Sequence, residues 1–336
     1  MKLIHDRSAK RHLCDFFVFK KGVKVYMDNT VEQANQGYMV DWLRVRVEVE
    51  HNPDKLNDGM RFDVAKIGDS YSEPMQSYRG MWITEPSYSN KLKVKSTKDG
   101  TLLIDGNLGK WLTGHNITGD SDVVELVHST VMKLAETSEH ITPTQQQLDA
   151  IKKGYFKIHV IDVNKAILFE TKDKSLQYLE RLKYHASYAR FDKHVESNGI
   201  YFGYDSQRKT LKYYHKGTEV ANNKKYQHNT DELQALADRM IRCELRLRSR
   251  ELKDNNLLNG FNWTPKTVRQ LIDDAHSKLR LPEPMSLPKD LPSKYIRFIS
   301  CFKAGSLVES YTTSTIDRMK RELIKNYGVD LRNLTF

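Results

Sequence analysis

An α+β fold, with a central and mainly antiparallel sheet carrying helices on one face, is predicted by three features of this 336-residue chain. Two segments, Leu43 to Glu50 and Ile241 to Arg248, alternate apolar and charged residues with the period of a half-buried strand. Between and after them lie segments with apolar residues at helical spacing. Short strand candidates are joined by tight-turn sequences, Asn57-Asp58-Gly59, Lys98-Asp99-Gly100 and Asp105-Gly106-Asn107.

Taken in order, residues 1–38 form a basic N-terminal extension with Lys10-Arg11 and Lys20-Lys21-Gly22-Val23-Lys24, punctuated by Asn35-Gln36-Gly37. The first strand places Leu43, Val45, Val47 and Val49 on one face, and Arg44, Arg46, Glu48 and Glu50 on the other. Val123, Val124, Val127, Val131 and Leu134 mark a helix from about Ser121 to Thr137. A shorter helix is expected with Thr142 as cap, Pro143 at its first position and Gly154 at its end. Phe156 to Val163 is a strand, and Leu176, Leu179 and Leu182 mark the next helix. Strands at Gly199 to Tyr204 and Thr210 to Lys216 flank the turn-like Asp205-Ser206-Gln207-Arg208, and a short helix opens at Thr230. Ile241, Cys243, Leu245 and Leu247 then alternate with Arg242, Glu244, Arg246 and Arg248.

Beyond about Asn255, Pro265, Pro282, Pro284, Pro288 and Pro292 break the pattern. Two helices are expected there, Pro265 to Leu279 and Thr315 to Tyr327, the second closed by Gly328. The organisation is therefore an extension (1–38), a main domain (39–254) and a helical C-terminal region (255–336) for DNA or partner binding. Arg318, Lys320, Arg321 and Lys325 on the last helix suit a phosphate-facing surface, although most such helices are simply solvated.

Lys and Arg number 54 against 43 Asp and Glu, a net charge of +11 that favours a polyanionic partner. No apolar run approaches the roughly 18 to 20 residues of a membrane span, and no signal peptide is expected. Cys14, Cys243 and Cys301 lie far apart without metal-ligand spacing, which fits a reducing, cytoplasmic setting.

Chemistry concentrates on the polar strand faces. Lys212, Tyr214 and Lys216 share one face, with Leu211, Tyr213 and His215 opposite. Glu244 lies among arginines, Asp162 ends a strand, and Glu219 follows the tyrosine strand. Carboxylates so placed could hold Mg²⁺ or Mn²⁺ against a phosphodiester, and a nearby cation would favour phenolate over phenol. Equally, tyrosines on strands usually pack, and this chain has 17 of them. Acidic and basic residues on a sheet more often pair with each other.

Five segments in a fixed order add a resemblance: Met39-Val40-Asp41-Trp42-Leu43; Gly114-His115-Asn116-Ile117-Thr118-Gly119; Val160-Ile161-Asp162-Val163; Leu211 to Glu219 read as Leu-x-x-Tyr-x-Lys-x-x-Glu; and Ile241 to Leu247. Together they resemble the filamentous-phage gene II/X replication initiators and, more distantly, plasmid initiators of the Rep_trans type. Val160 stands where that family has arginine. The resemblance implies a rolling-circle initiator that nicks one strand at the origin through a tyrosine, leaves a 5′-phosphotyrosine and a free 3′-hydroxyl, and later religates. It implies Tyr214 as nucleophile, Asp162, Glu219 and Glu244 as metal ligands, and Lys216 as an electrostatic helper. Tyr201 is the first alternative nucleophile, because some plasmid-type relatives carry a tyrosine there, and Tyr213 the second, although a regular strand points it to the opposite face. His115 and Asn116 are either ligands or DNA contacts, or a turn that positions the next helix.

Arg44, Arg46, Lys212, Arg242 and Arg246 are the candidate DNA contacts, serving the backbone rather than the bases. The expected partners are single-stranded or supercoiled origin DNA, a host polymerase and, since no phosphate-binding loop is present, a host helicase. A homo-oligomer on DNA is left open. The rival readings are a non-catalytic repressor or origin-recognition protein, and a nuclease that uses water as its nucleophile.

Overall fold

Alternation builds the sheet as expected, because every second side chain of a strand meets the core. The computed structural model describes residues 37–63, 66–67, 70–71, 75–222, 230–282, 287–303 and 306–331. The expected extension therefore lies, apart from Gly37 and Tyr38, outside the described residues. The sheet strands are β1 (Gly37–Val47), β2 (Asn57–Asp63), β3 (Met75–Thr84), β4 (Lys91–Ser96) and β5 (Leu102–Gly106). They continue with β6 (Lys157–Leu168), β7 (Lys193–Glu196), β8 (Gly199–Phe202), β9 (Lys209–His215) and β10 (Met240–Arg248). Among the described residues they form one sheet, ordered β7-β8-β9-β10-β6-β1-β5-β4-β3-β2, with every pairing antiparallel. The fold is α+β.

The principal helices are α1 (Leu108–Thr113), α2 (Val123–Thr137), α3 (Gln145–Lys152), α4 (Lys172–His185), α5 (Lys216–Asn222) and α6 (Asp231–Asp238). After β10 come α7 (Ser249–Asp254), α8 (Pro265–Ser277), α9 (Ser293–Lys303) and α10 (Thr313–Tyr327). Leu43, Val45 and Val47 of β1 are fully buried in one cluster with Val127, Val131 and Leu134 of α2 and Val268 and Ile272 of α8. Each such side chain contributes about 1.5–3 kcal/mol through removal from water. Among the described residues no helix is long and apolar enough to cross a membrane.

Two expectations about boundaries are corrected. The cap of α3 is Thr144, not Thr142. Thr142 instead follows an isolated bridge between His51 and Ile141, its N–H donating to Glu50 O at 2.9 Å, as suits a residue before proline. The Thr144 hydroxyl takes the N–H of Gln147, whose side chain returns to the Thr144 N–H, a reciprocal capping box. The boundary expected at 254/255 falls inside the main core, because α8 packs on the sheet. Tyr38 Oη donates to Asp273 Oδ2 (2.8 Å), Lys165 Nζ to Asp273 Oδ1 (2.9 Å), and the Tyr213 hydroxyl lies 2.9 Å from His276 Nδ1. A separate cluster begins only with Leu291, Tyr295 and Phe298, packed against Ile316, Met319 and Leu323 of α10. Gly328, left-handed at φ 66°, closes α10 as expected.

Candidate active site

Strand register gathers most of the expected residues on one half of the polar face. Gly199, Tyr214, Arg242 and Ala166 form one rung across β8, β9, β10 and β6. Tyr201, Lys212, Glu244 and Asn164 form the next, followed by Thr210, Arg246 and Asp162. Tyr213 belongs to the core, as the alternation requires. Lys216 is not a strand residue: β9 ends at His215, and Lys216 opens α5. There the helical i,i+3 spacing sets its Nζ 2.6 Å from Glu219 Oε2.

The Tyr214 hydroxyl donates to Glu244 Oε2 over a long 3.3 Å. Lys212 Nζ lies 4.2 Å from the centre of the Tyr214 ring and 5.2 Å from that of Tyr201. Burial and the adjacent Glu244 carboxylate push the Tyr214 phenol well above its ordinary value. The expectation that neighbouring cations would favour a phenolate is therefore reversed, and the hydroxyl needs a base. Tyr214 is only 4% exposed. Gly199 faces it: a Cβ there would lie 2.7 Å from the Tyr213 carbonyl oxygen and 3.1 Å from Tyr214 Cβ. Gly199→Ala should accordingly lower stability by about 1–3 kcal/mol in urea titrations, by forcing β8 away from β9. It should also slow any reaction that depends on Tyr214.

Behind the tyrosine runs a chain that alternation alone could not place. Asn116 Nδ2 donates to Asp41 Oδ1 (2.9 Å), and Asn116 Oδ1 accepts from Lys216 Nζ (2.8 Å). Asn107 Nδ2 also donates to Asp41 Oδ1. Asp41 escaped the sequence reading because a register shift between Val40 and Trp42 takes it out of the period of two. Arg242, expected at the DNA, is fully buried and donates at 2.6 Å to both the Asn116 and Ile117 carbonyls. Asn116 is likewise covered, so both residues hold the Gly114–Gly119 loop in place. Gly114, at φ 89°, ends α1, and burial together with Lys216 and Arg242 lowers the pKa of His115 and keeps it neutral.

The carboxylates differ in their commitments. Asp162 is buried and takes both forks of Arg246, with Nε at 2.7 Å from Oδ1. This pair holds the Arg246 guanidinium protonated and positions it at the surface. Glu219 is held by Lys216. Glu244 is pushed up to about 7 by burial and by the negative charges of Asp162 and Asp41. The expected ligand set of Asp162, Glu219 and Glu244 is thus divided among separate partners. Among the described residues, no three His, Cys, Asp or Glu side chains are grouped to hold a metal ion. Burial and Arg242 lower Lys216 to about 8.

Arg44 and Arg46 lie on the other half of the face. Arg44 pairs with Asp105 at 2.7 Å, and Arg46 with Asp99 at 3.3 Å. Both line a hollow of about 730 Å³.

An antiparallel sheet whose polar face gathers a phenol, a titratable carboxylate and several cations defines the class of α+β protein found here. The chain belongs to the phage replication-associated protein family defined on the N-terminal part of the gene II protein, whose pattern matches residues 39–266. It is 25% identical over 316 residues to the replication-associated gene II protein of Enterobacteria phage I2-2, covering 87% of this chain and 88% of that one. The solved structure of a rolling circle replication initiator protein from Geobacillus stearothermophilus aligns with a TM-score of 0.32 and 15% identity, over 78% of this chain and 95% of that chain.

Proposed function

We propose that this chain initiates rolling-circle replication by nicking one strand of origin DNA, with Tyr214 as nucleophile and Glu244 as its base. The observation that carries the assignment is the Tyr214 hydroxyl donating to the buried Glu244 carboxyl, which burial and the neighbouring Asp162 and Asp41 push up to about 7. A base poised near the working pH is most effective in proton transfer. The Tyr214 oxygen attacks phosphorus while its proton passes to Glu244. The bond from phosphorus to the 3′-oxygen breaks, the departing oxygen takes a proton from solvent, and a 5′-phosphotyrosine and a 3′-hydroxyl that a host polymerase extends remain. Reversal, with a 3′-hydroxyl attacking the phosphotyrosine, religates the strand without a nucleotide cofactor. Unwinding falls to a host helicase.

The cations act by position. Lys212 covers the Tyr214 ring, and a phosphate would draw its ammonium from the ring to the scissile group, uncovering the hydroxyl. Arg246, oriented by Asp162, faces the charge that develops on the phosphate oxygens. Tyr201 is the weaker candidate, since its carboxylate neighbour is the exposed Glu196 on β7 rather than a titratable buried group.

Supercoiled DNA from the chain's own replicon, incubated with the protein and Mg²⁺, should become open circles that carry covalently bound protein. A parallel reaction with chelator measures what a divalent cation contributes. Tight origin binding without nicking supports the repressor reading instead, and nicking without bound protein supports water as nucleophile. The nicking rate should rise about tenfold per pH unit below about 7 and level off above it, because Glu244 accepts a proton only when ionised. Glu244→Gln should remove that rise along with most of the activity. A pH profile unchanged by this substitution would exclude Glu244 as the base.

A further inference from the structure

We propose that the hollow beside Arg44 and Arg46, with Trp82 at its rim, is a second binding site that takes single-stranded DNA leading away from the tyrosine. The proposal rests on the nicking reading only in taking DNA as the polyanion.

Register carries one rung across this half of the sheet, from Trp82 on β3 through Lys93, Asp105, Arg44 and Val160 to Arg248 on β10. Arg248 in turn donates to Thr210 Oγ1 at 3.1 Å, on the strand that bears Tyr214. The hollow and the tyrosine therefore belong to one continuous face. Five cations line the hollow against two carboxylates, Asp99 and Asp105. The like charges of Lys93, Arg46 and Arg44, after burial, lower the pKa of Lys95. Arg46 Nε and His159 Nε2, both on lining residues, are buried without a hydrogen-bond partner among the described residues. Crowded positive charge is what an anionic backbone would relieve.

Trp82 narrows the ligand. It is 55% exposed, whereas its neighbour Ile83 is buried on the core face. A bare indole beside a lysine-rich concavity offers the flat surface on which an unpaired base stacks, with phosphates neutralised alongside. Duplex DNA keeps its bases inside and gains only the charge contacts.

Equilibrium binding of a fluorescent thymidine oligonucleotide to the full chain, followed by anisotropy, tests this without any cleavage step. Trp82→Ala should weaken binding by roughly five- to a hundredfold. Trp82→Phe should recover most of the loss, and duplex binding should change little. Lys93→Ala combined with Lys95→Ala should flatten the salt dependence by about 1.4 in the log–log slope. Unchanged oligonucleotide affinity in Trp82→Ala, or an equal loss for duplex, overturns the single-strand site. An unchanged salt slope in the lysine variant removes the phosphate contacts. None of these outcomes depends on Tyr214, so the site and the nicking reading fail separately.

Discussion

Tyr214→Phe should abolish strand cleavage, with a nicking rate lower by roughly 10⁴-fold or more, as when a covalent nucleophile is removed from its catalytic unit. Origin binding should change little. Phenylalanine keeps the ring beneath Lys212 and opposite Gly199, and loses only the long hydrogen bond to Glu244. The stability cost of that bond is at most about 1 kcal/mol. Tyr201→Phe, by contrast, should retain most of the rate. Single-turnover nicking of supercoiled DNA, with thermal unfolding of each variant as control, measures both. A Tyr214→Phe protein that still nicks at a substantial fraction of the normal rate removes the phenol from the mechanism.

Arg242→Ala should produce the largest loss of stability of any substitution at the site, roughly 3 kcal/mol. The guanidinium is fully buried, and its loss leaves the Asn116 and Ile117 carbonyls unpaired, each costing about 1–3 kcal/mol. Those carbonyls belong to the loop whose Asn116 side chain bridges Asp41 and Lys216, so nicking should fall with stability. Arg242→Lys should rescue only part, because an ammonium cannot reproduce the planar fork that reaches two carbonyls. Urea unfolding measures the first effect. The slope of DNA affinity against salt separates structure from contact. It should stay unchanged in Arg242→Ala under conditions where the variant is folded, and a flattened slope would restore Arg242 to the DNA surface.

Arg242 also illustrates where the sequence is legible and where it is not. Strict alternation in β10 correctly sorts Cys243, Leu245 and Leu247 to the core, and Arg242, Glu244 and Arg246 to the other face. It carries no information on what covers that second face. Here the Gly114–Gly119 loop does so at one end, and a small cluster of Ile117, Ala166, Val220, Ala237 and Met240 seals it. Asp41 was hidden for a different reason: a register shift breaks the period on which strand reading depends. Lys216 was expected on the strand with Tyr214 and Glu219 just past it, but helical spacing pairs the two and places Lys216 beside Asn116. The metal ligands were inferred from residue type and order. Neither indicates which cation each carboxylate has already taken, and Arg246 and Lys216 hold two of the three. Likewise, the prolines after Asn255 suggested a new domain, whereas Val268 and Ile272 bind α8 to the main core.

Whether Tyr214 forms the covalent bond to DNA is decided by identifying the DNA-linked peptide. The protein is reacted with supercoiled origin DNA and Mg²⁺ and denatured, then digested with nuclease and protease and analysed by mass spectrometry. The expected result is a nucleotide adduct on the peptide containing Tyr213 and Tyr214, with fragmentation placing it on Tyr214. An adduct on Tyr201, or nicked DNA with no adduct on any tyrosine, would contradict it.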